Sequence, residues 1–432
     1  MLVKKQKILF AGDSITYTTG LSYVILSLIK QFYKTGEYEI GYATISGADT
    51  TKETFCKDKT GLLKDIGESI TFFNAQLLDA NKAVQFDRAI DYFSPNIVIS
   101  MIDPWIQDSI AYSAYRKNFY WINYVTIETP KYPEYCLFPT PVNKTPRKSL
   151  KEIMGSADLL IPCTKMGKSC LEGLGLNPID SIPLGIDLEE EVKQNILKKD
   201  AFGSSVSEDD FIFFTVSTNS ERKMLAKIIE SFYKFKLKIN DTKNKYKLYM
   251  HVDITRQQGG TDLQGVVSEY KLNNSVFFPT GLNSNKGIPK QELYRRIKAC
   301  DCAIGLSGGE GYGYLYLESW LHKKPVIYID YGGHVEFCKD AGLPVKVNDF
   351  TYAMNADIHF ALADTDDCAK QMAKIVSDKS LARKLGENGW YYIQRLSWDI
   401  VGKNFIDIIK EKYREKEKEE DLLTSFKFKR IV

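Results

Sequence analysis

The stretch DCAIGLSGGEGYGYLYLESWLHKKPVIYID, residues 301–330, decides the fold. In it an apolar run, CAIGLS, leads into a glycine-rich loop, and a helix-like segment then leads to a second apolar run, PVIYID. A strand, a loop, a helix and a second strand are typical of a βαβ unit with parallel strands. Ligands of such sheets bind beyond the carboxyl ends of the strands, so the loop is the first candidate site.

The loop and the following helix carry residue types that suit a phosphorylated sugar. Glycines let the backbone approach a ligand closely, and backbone amides that open a helix favour a phosphate. Glu318, two turns into the helix, can present a carboxylate to a vicinal diol such as a ribose, and Glu310 can accept a hydrogen bond from a sugar hydroxyl. The amides in question belong to Gly311, Tyr312, Gly313 and Tyr314.

Each of these features also has a purely structural interpretation. The glycines can serve helix–sheet packing, Glu318 can be an exposed helical residue, and Glu310 can complement the helix dipole.

The rest of the chain alternates short β-rich runs with longer helical segments, which predicts an α/β protein with parallel sheets. The strands of the first half are predicted at 7–12, 40–46, 96–102, 119–127 and 158–163, with helices at 20–33 and 83–93. Residues 182–210 change from a Pro-Gly turn to charged and then Gly/Ser-rich sequence, which predicts a linker. The strands of the second half are predicted at 211–217, 247–253, 275–281, 302–307 and 325–330. We therefore expect two Rossmann-like domains that face each other across a cleft containing the site.

Length and composition define the broad class. The chain has 432 residues, enough for two or three domains, and 26% of them are charged, which is ordinary for a globular protein. The net charge of +3 is too small to favour a nucleic-acid partner, and no segment reaches the roughly 20 apolar residues of a membrane span. The eight cysteines are scattered without a C-x-x-C pair, which favours reduced, buried thiols in a cytoplasmic protein.

The last residues, 411–432, are highly charged and predict a solvated helix with a frayed end. The alternative is that their basic-aromatic tip, FKFKR, contacts a lipid surface or an anionic acceptor. Composition does not indicate the oligomeric state.

A different enzyme class is raised by ILFAGDSITYTTG, residues 8–20, because Gly12-Asp13-Ser14 resembles the serine block of the GDSL hydrolases. Such an enzyme needs a histidine base, usually in an Asp-x-x-His arrangement. The chain has four histidines, and none has an aspartate three residues before it. We interpret GDS as the turn after the first strand, and an esterase at Ser14 ranks last among the alternatives.

Several segments, in the right order, resemble family 4 of the retaining glycosyltransferases, which have the GT-B fold. The run SGGEGYGYLYLE…PVI is similar to the E-x(7)-E region of that family, and STNSERK is similar to its segment with a phosphate-binding Arg and Lys. The resemblance spans nearly the whole chain. The matching segments are Gly20, 182–187, 217–223, 297–307, 307–327 and 395–401.

The resemblance implies a role for each matching residue. Glu318 would hold the nucleotide ribose, and Glu310 would bind the donor sugar. Arg222 and Lys223 would neutralise the departing diphosphate, helped by the loop of Gly20. The backbone that follows the predicted strand at 302–307 would contact the diphosphate or the sugar. Its residues are Ser307, Gly311, Tyr312, Gly313 and Tyr314.

The resemblance also implies the domain division. Residues 1–187 would form the acceptor-side domain, joined by a C-terminal helix at about 397–432, and residues 188–396 would bind the sugar nucleotide. Base recognition would fall around 253–260 and 280–286, and acceptor recognition in the loops 46–78 and 128–148.

The sequence departs from the family pattern at three points. Thr218 replaces a basic residue, and Lys323 replaces a glycine before the PVI strand. No histidine precedes residue 251, although many members carry one near the reacting sugar. Glu128, after the strand FYWINYVTI, and Asp103, after NIVISMI, are the candidates to orient the acceptor or to accept its proton.

The function expected from these features is metal-independent, retaining transfer of a hexosyl unit to an acceptor hydroxyl. The donor would be a UDP- or GDP-linked sugar, and the acceptor a glycan, a lipid or a protein-linked sugar. No metal and no further cofactor are expected, because Arg, Lys and a helix N-terminus can stabilise the leaving group. The alternatives are a non-catalytic sugar-nucleotide-binding subunit and a sugar-nucleotide epimerase.

Overall fold

The structure is a computed structural model. It describes residues 5–14, 19–46, 66, 69–74, 82–132, 141–142, 145–146, 149–254, 260–282, 287–352 and 359–429.

The first half of the chain forms a parallel sheet of six strands in the order β3-β2-β1-β4-β5-β8. Every residue of β4 is buried, as expected for a strand covered on both faces. The strands are β1 (Gln6–Asp13), β2 (Tyr38–Ser46), β3 (Thr71–Asn74), β4 (Ile97–Met101), β5 (Tyr120–Val125) and β8 (Leu159–Pro162), and a small hairpin is formed by β6 (Pro141–Val142) and β7 (Thr145–Pro146).

The helices of this half cover the sheet. The first begins where Thr19 Oγ1 accepts the backbone N–H of Ser22, and it ends at Gly36, whose φ of 70° is left-handed. The helices are α1 (Gly20–Thr35), α2 (Lys82–Phe93), α3 (Asp108–Ala111), α4 (Leu150–Gly155) and α5 (Lys165–Gly173).

The second half forms another parallel six-stranded sheet, in the order β11-β10-β9-β12-β13-β14. The strand predicted at 275–281 is much shorter, Val276–Phe277, and lies at the sheet edge beside β10. The strands are β9 (Phe211–Val216), β10 (Tyr246–His251), β11 (Val276–Phe277), β12 (Cys302–Gly305), β13 (Val326–Ile329) and β14 (Gly342–Val345), and an antiparallel pair is formed by β15 (Val347–Tyr352) and β16 (His359–Ala363).

The helices of the second half alternate with its strands, as in a Rossmann-like domain. They are α6 (Lys198–Phe202), α7 (Leu225–Lys238), α8 (Leu263–Glu269), α9 (Lys290–Ala299), α10 (Tyr314–Leu321), α11 (Val335–Cys338), α12 (Thr365–Ser377) and α13 (Lys379–Ile393). The chain then returns to the first domain as α14 (Trp398–Lys429).

The predicted linker is more ordered than its composition indicates. It contains a short 3-10 turn, Leu188–Glu190, and the helix α6. We call residues 182–192 the interdomain strap. Ile186 in the strap forms a parallel bridge with Ser397, so the outgoing and returning segments cross side by side.

The returning helix joins the first domain, as the resemblance implies, and it packs on α1. Phe405 lies edge-on to Phe32 with 6.4 Å between ring centroids, and Lys34 pairs with Asp399 at 2.6 Å. Within the described ranges, no helix is both long and apolar enough to cross a membrane. The six cysteines in these ranges are buried and unpaired with one another.

Gly389 allows the close contact of α13 with α10. A Cβ atom at Gly389 would lie 2.1 Å from the ring of Trp320, which is fully buried. We expect Gly389→Ala to destabilise the protein by about 1–3 kcal/mol through overpacking. Gly173→Ala is the control, since nothing lies within 4 Å of its Cβ position, and it should stabilise by roughly 0.4–1 kcal/mol. Thermal melts of both variants test this, and equal melting temperatures would contradict it.

Candidate active site

Two basic residues lie at the carboxyl end of β9. Arg222 and Lys223 belong to a 3-10 turn, Glu221–Lys223, which ends at Met224 in a left-handed conformation with φ of 48°. The N–H of Gly308 donates to the carbonyl of Arg222 at 2.8 Å, which holds this turn against the glycine-rich loop after β12. The topology of the sheet, in which β9 and β12 are neighbours, therefore brings the two predicted motifs together.

The basic side chains contact acidic partners from both domains. Lys223 Nζ lies 2.5 Å from Glu310 Oε2, and Arg222 Nη1 lies 3.7 Å from the same oxygen. Arg222 Nη2 lies 3.1 Å from Oε1 of Glu128, which follows β5 of the first domain. Arg222 also donates to Ser307 Oγ at 3.2 Å and to the carbonyl of Gly309. Arg222 is thus the residue that joins the two halves of the site.

The two acidic partners of Arg222 have opposite pKa shifts. Burial opposes ionisation of Glu310, but Lys223 and Arg222 outweigh it and lower the pKa of Glu310 to about 2. Burial raises the pKa of Glu128 to about 7; Arg222 opposes this shift, while Asp103 and Glu310 add to it. Glu310 is therefore a permanent anion, and Glu128 can exchange a proton near neutral pH.

Three carboxylates end neighbouring strands of the first sheet. Gly12 of β1 is in register with Met101 of β4, so Asp13 and Asp103 emerge side by side, and Glu128 follows the next strand. Burial and the charge of Asp13 raise the pKa of Asp103 to about 6, while Arg222 opposes this shift. Sequence reasoning missed Asp13, although its place at the end of the first strand was a usable signal.

The glycine-rich loop is shaped by contacts within the chain. A Cβ atom on Gly311 would lie 2.8 Å from Thr126 of the first domain, and Gly313 has a left-handed φ of 92° at the start of α10. The backbone of the loop therefore lies close to protein atoms of the first domain. The roles of these amides toward a diphosphate stay predictions.

The tyrosine side chains of the loop reach the interdomain strap. The hydroxyl of Tyr312 donates to the carbonyl of Leu184 at 3.1 Å, and that of Tyr314 donates to Gly185 at 2.9 Å. The ring of Tyr314 also lies 3.3 Å from the Cβ position of Gly20, the first residue of α1. The structure thus brings Gly20 to the loop, as the resemblance implies, and it links the loop to the strap.

Glu318 lies on α10, and the charged groups that act on it are Lys290 and Glu190. Burial raises its pKa to about 7, Lys290 opposes this shift, and Glu190 adds to it. Tyr294 lies near this carboxylate, and Lys290 Nζ lies 5.2 Å from the centroid of the Tyr294 ring. Sequence reasoning missed Lys290, Glu190 and Tyr294, because no motif links the strap and α9 to Glu318.

Further contacts join the domains around the site. Thr129 Oγ1 and the hydroxyl of Tyr331 lie 3.0 Å apart, and Glu336 accepts the N–H of Lys165 at 2.9 Å, at the start of α5. Ser14, the esterase candidate, is fully buried, which leaves its hydroxyl no access to an ester.

Parts of the predicted recognition loops lie outside the described residues. These are 47–65, 67–68, 75–78, 133–140, 143–144 and 147–148 for the acceptor, and 255–259 and 283–286 for the base. In the part of the chain that is described, no group of three or more His, Cys, Asp or Glu could hold a metal ion.

Two parallel-sheet, Rossmann-like domains, with a C-terminal helix that returns to the first, define the GT-B fold. Residues 198–390 match the model of a family described as glycosyl transferases group 1. No curated protein sequence matches the chain significantly.

Solved structures with this fold include glycosyltransferases. Sucrose-phosphate synthase from Thermosynechococcus elongatus is 15% identical, with a TM-score of 0.68 over 95% of this chain and 100% of that one. HepE from Anabaena, in complex with UDP and glucose, is 14% identical, with a TM-score of 0.68 over 94% and 100% of the two chains. TarM from S. aureus, in complex with UDP and α-GlcNAc-glycerol among others, is 12% identical, with a TM-score of 0.66 over 93% and 99%.

Proposed function

We propose that this protein is a retaining glycosyltransferase that moves a hexosyl unit from a nucleoside diphosphate sugar to an acceptor hydroxyl. The observation that carries the proposal is the position of Arg222, which lies between Glu310 of the glycine-rich loop and Glu128 of the opposite domain. The group 1 family match, which covers both Arg222 and Glu318, supports the same activity.

The donor would lie between the turn at 221–223 and the start of α10. Lys223 and Arg222 would contact the diphosphate and stabilise the charge that develops as it leaves. Glu310 would then exchange its contact with Lys223 for the donor sugar hydroxyls. Glu318 would accept hydrogen bonds from the ribose diol.

In the transfer step, an acceptor oxygen forms a bond to the anomeric carbon while the bond from that carbon to the phosphate oxygen breaks. The acceptor proton goes either to the leaving phosphate oxygen or to Glu128, whose pKa of about 7 suits a base at neutral pH. Asp103, with its pKa raised to about 6, is the second candidate. Arg222 and Lys223 supply the charge stabilisation, so we propose that the transfer needs no metal ion.

The donor class and the cellular setting complete the proposal. UDP-sugars are the first donors to test because HepE and TarM were solved with UDP, and GDP-sugars are the second. The acceptor would be a glycan, a lipid or a protein-linked sugar. The cytoplasm is the proposed compartment, since the six cysteines of the described ranges are unpaired with one another.

A thermal-shift panel with UDP, GDP, ADP, CDP and their sugar conjugates tests the donor class. We expect one nucleotide series to raise the melting temperature of the wild type, because a ligand that binds only the folded state stabilises it. Glu318→Gln should lose most of this shift, because a neutral amide accepts hydrogen bonds from the ribose less well than a carboxylate does. If no nucleotide shifts the wild type, the proposal fails.

The leading alternative is a sugar-nucleotide-binding subunit without catalysis. It is favoured by Thr218, which stands where many family members have a basic residue, and by the lack of a histidine before residue 251. An epimerase would instead change the donor sugar with no acceptor present. An assay for nucleoside diphosphate distinguishes the two functions. A transferase releases it from a bound donor, whereas a binding subunit does not.

A further inference from the structure

One buried phenol, that of Tyr23 on α1, contacts both segments that cross between the domains. The N–H of Asp187, on the outgoing strap, donates to its hydroxyl at 3.1 Å. The Nε1–H of Trp398, on the returning helix α14, donates to the same hydroxyl at 3.2 Å. The two segments also form the bridge of Ile186 with Ser397, so they and Tyr23 make up one joint.

The ring of Tyr23 contacts the second domain at two points. Lys290 Nζ, at the start of α9, lies 3.5 Å from the centroid of the ring, a distance at which an ammonium group is attracted to a π face. Tyr314, the first residue of α10, lies edge-on to the ring with 5.3 Å between centroids, an arrangement that aromatic pairs prefer. Lys290 is itself held by the strap, because its Nζ lies 2.7 Å from Glu190 Oε2.

These contacts bring the starts of α1 and α10 together. Tyr23 lies one turn after Gly20, the first residue of α1, and a Cβ atom on Gly20 would lie 3.3 Å from the ring of Tyr314. The hydroxyl of Tyr314 donates to the carbonyl of Gly185, in the strap, at 2.9 Å. Gly313, which precedes α10, has no side chain with which to cap the first N–H groups of the helix. The place of this first turn is therefore fixed by α1 and the strap.

We propose that Tyr23 is a positioning residue for the donor, and that its ring, held between Lys290 and Tyr314, sets where the start of α10 lies relative to α1. The inference rests on the proposed function, because it takes the start of α10 as part of the donor site. It adds to that site a residue of the first domain that lies outside every segment resembling the family.

The hydroxyl and the ring of Tyr23 should have separable effects. The hydroxyl accepts two buried N–H groups from the connecting segments, so its loss should mainly cost stability. The ring carries the contacts with Lys290 and Tyr314, so its loss should move the start of α10. A hydrogen bond weakens steeply as its geometry departs from the optimum, so a small shift of this turn should weaken its contacts to a diphosphate. We therefore expect stability to follow the hydroxyl and donor affinity to follow the ring.

The test measures the dissociation constants of UDP and GDP by titration calorimetry, together with thermal melts, on wild type, Tyr23→Phe and Tyr23→Leu. Tyr23→Phe keeps the ring but leaves two buried N–H groups without their acceptor, so it should melt at a lower temperature and bind the nucleotide as the wild type does. Tyr23→Leu also loses the ring, and its affinity should fall about tenfold, the loss of one hydrogen bond to a charged group. Tyr23→Met, with a flexible apolar side chain, is a second variant without the ring.

Two further variants act as matched controls. Trp398→Phe removes one donor to the Tyr23 hydroxyl and keeps an aromatic ring at position 398, so it should melt at a lower temperature with unchanged affinity. Phe32→Leu removes a buried ring farther along α1, where Phe32 packs on Phe405 with 6.4 Å between centroids. It matches the ring loss of Tyr23→Leu away from α10, and its affinity should also be unchanged.

The outcomes separate the inference from the function on which it rests. If neither nucleotide binds the wild type, the proposed function and the inference both fail. If the wild type binds and the variants without the Tyr23 ring bind equally tightly, Tyr23 has only a structural role and the inference alone is overturned. It is also overturned if the two controls or Tyr23→Phe lose as much affinity as Tyr23→Leu. A loss confined to Tyr23→Leu and Tyr23→Met supports it.

Discussion

Replacing Lys223 with methionine should lower the turnover of the donor about 10²–10³-fold, because the departing diphosphate loses a preorganised positive charge. Lys223 lies 2.5 Å from Glu310, and burial together with Arg222 lowers the pKa of its ammonium group. The variant also leaves Glu310 with Arg222 alone, at 3.7 Å, so the fold should lose stability as well. Steady-state release of nucleoside diphosphate gives the rate, and thermal melts give the stability.

Two controls separate the catalytic effect from the structural one. The double variant Lys223→Met/Glu310→Gln removes the whole charge pair, so it should regain stability while turnover stays low. Lys227, in the first turn of α7, pairs with Glu230 at 2.9 Å near the surface. The turnover of Lys227→Met should therefore match that of the wild type. A double variant that regains turnover together with stability would contradict the proposed role of Lys223.

Glu128→Gln should lower turnover about 10²-fold at saturating donor concentration. Its rate should also no longer fall as the pH is lowered. Burial raises the pKa of Glu128 to about 7, so the ionised fraction of its carboxyl falls as the pH drops through that value. The rate of the wild type should therefore fall as the pH drops through about 7. Saturating donor keeps the titration of Glu318 out of the measured kcat.

The matched variant for this prediction is Asp103→Asn. Loss of this carboxyl should leave a fall in rate at low pH but move it below about pH 7, because the charge of Asp103 adds to the raised pKa of Glu128. If Glu128→Gln keeps the turnover of the wild type, and its rate still falls as the pH drops through about 7, then the leaving phosphate accepts the acceptor proton. In that case Glu128 serves only to hold Arg222.

The sequence predicted the fold well because strands and turns are encoded in short, contiguous segments. Buried parallel strands form continuous apolar runs, such as IVISM at 97–101, and the turn and helix after CAIG carry the segment that is similar to the E-x(7)-E region. The strand at 275–281 was predicted too long, since most of that apolar run lies beyond the edge strand Val276–Phe277. Hydrophobicity alone does not indicate where pairing stops.

The site was predicted in part, for a related reason. Arg222, Lys223, Glu310 and Glu128 come together because they end strands or open helices, where parallel sheets collect ligand-binding groups. Lys290 and Glu190 contact each other across 100 residues of sequence, and only the packing of the strap against α9 makes them neighbours. Charged residues without a motif cannot be paired from the sequence alone.

The most direct test of the account follows a panel of UDP- and GDP-hexoses by proton NMR, with wild type and Lys223→Met, and water as the acceptor. The account predicts slow release of nucleoside diphosphate by the wild type and much slower release by the variant. It also predicts that the hexose first appears with the anomeric configuration of the donor. Nucleotide binding without release of nucleoside diphosphate from any donor would contradict the transferase, and an inverted sugar would contradict retention.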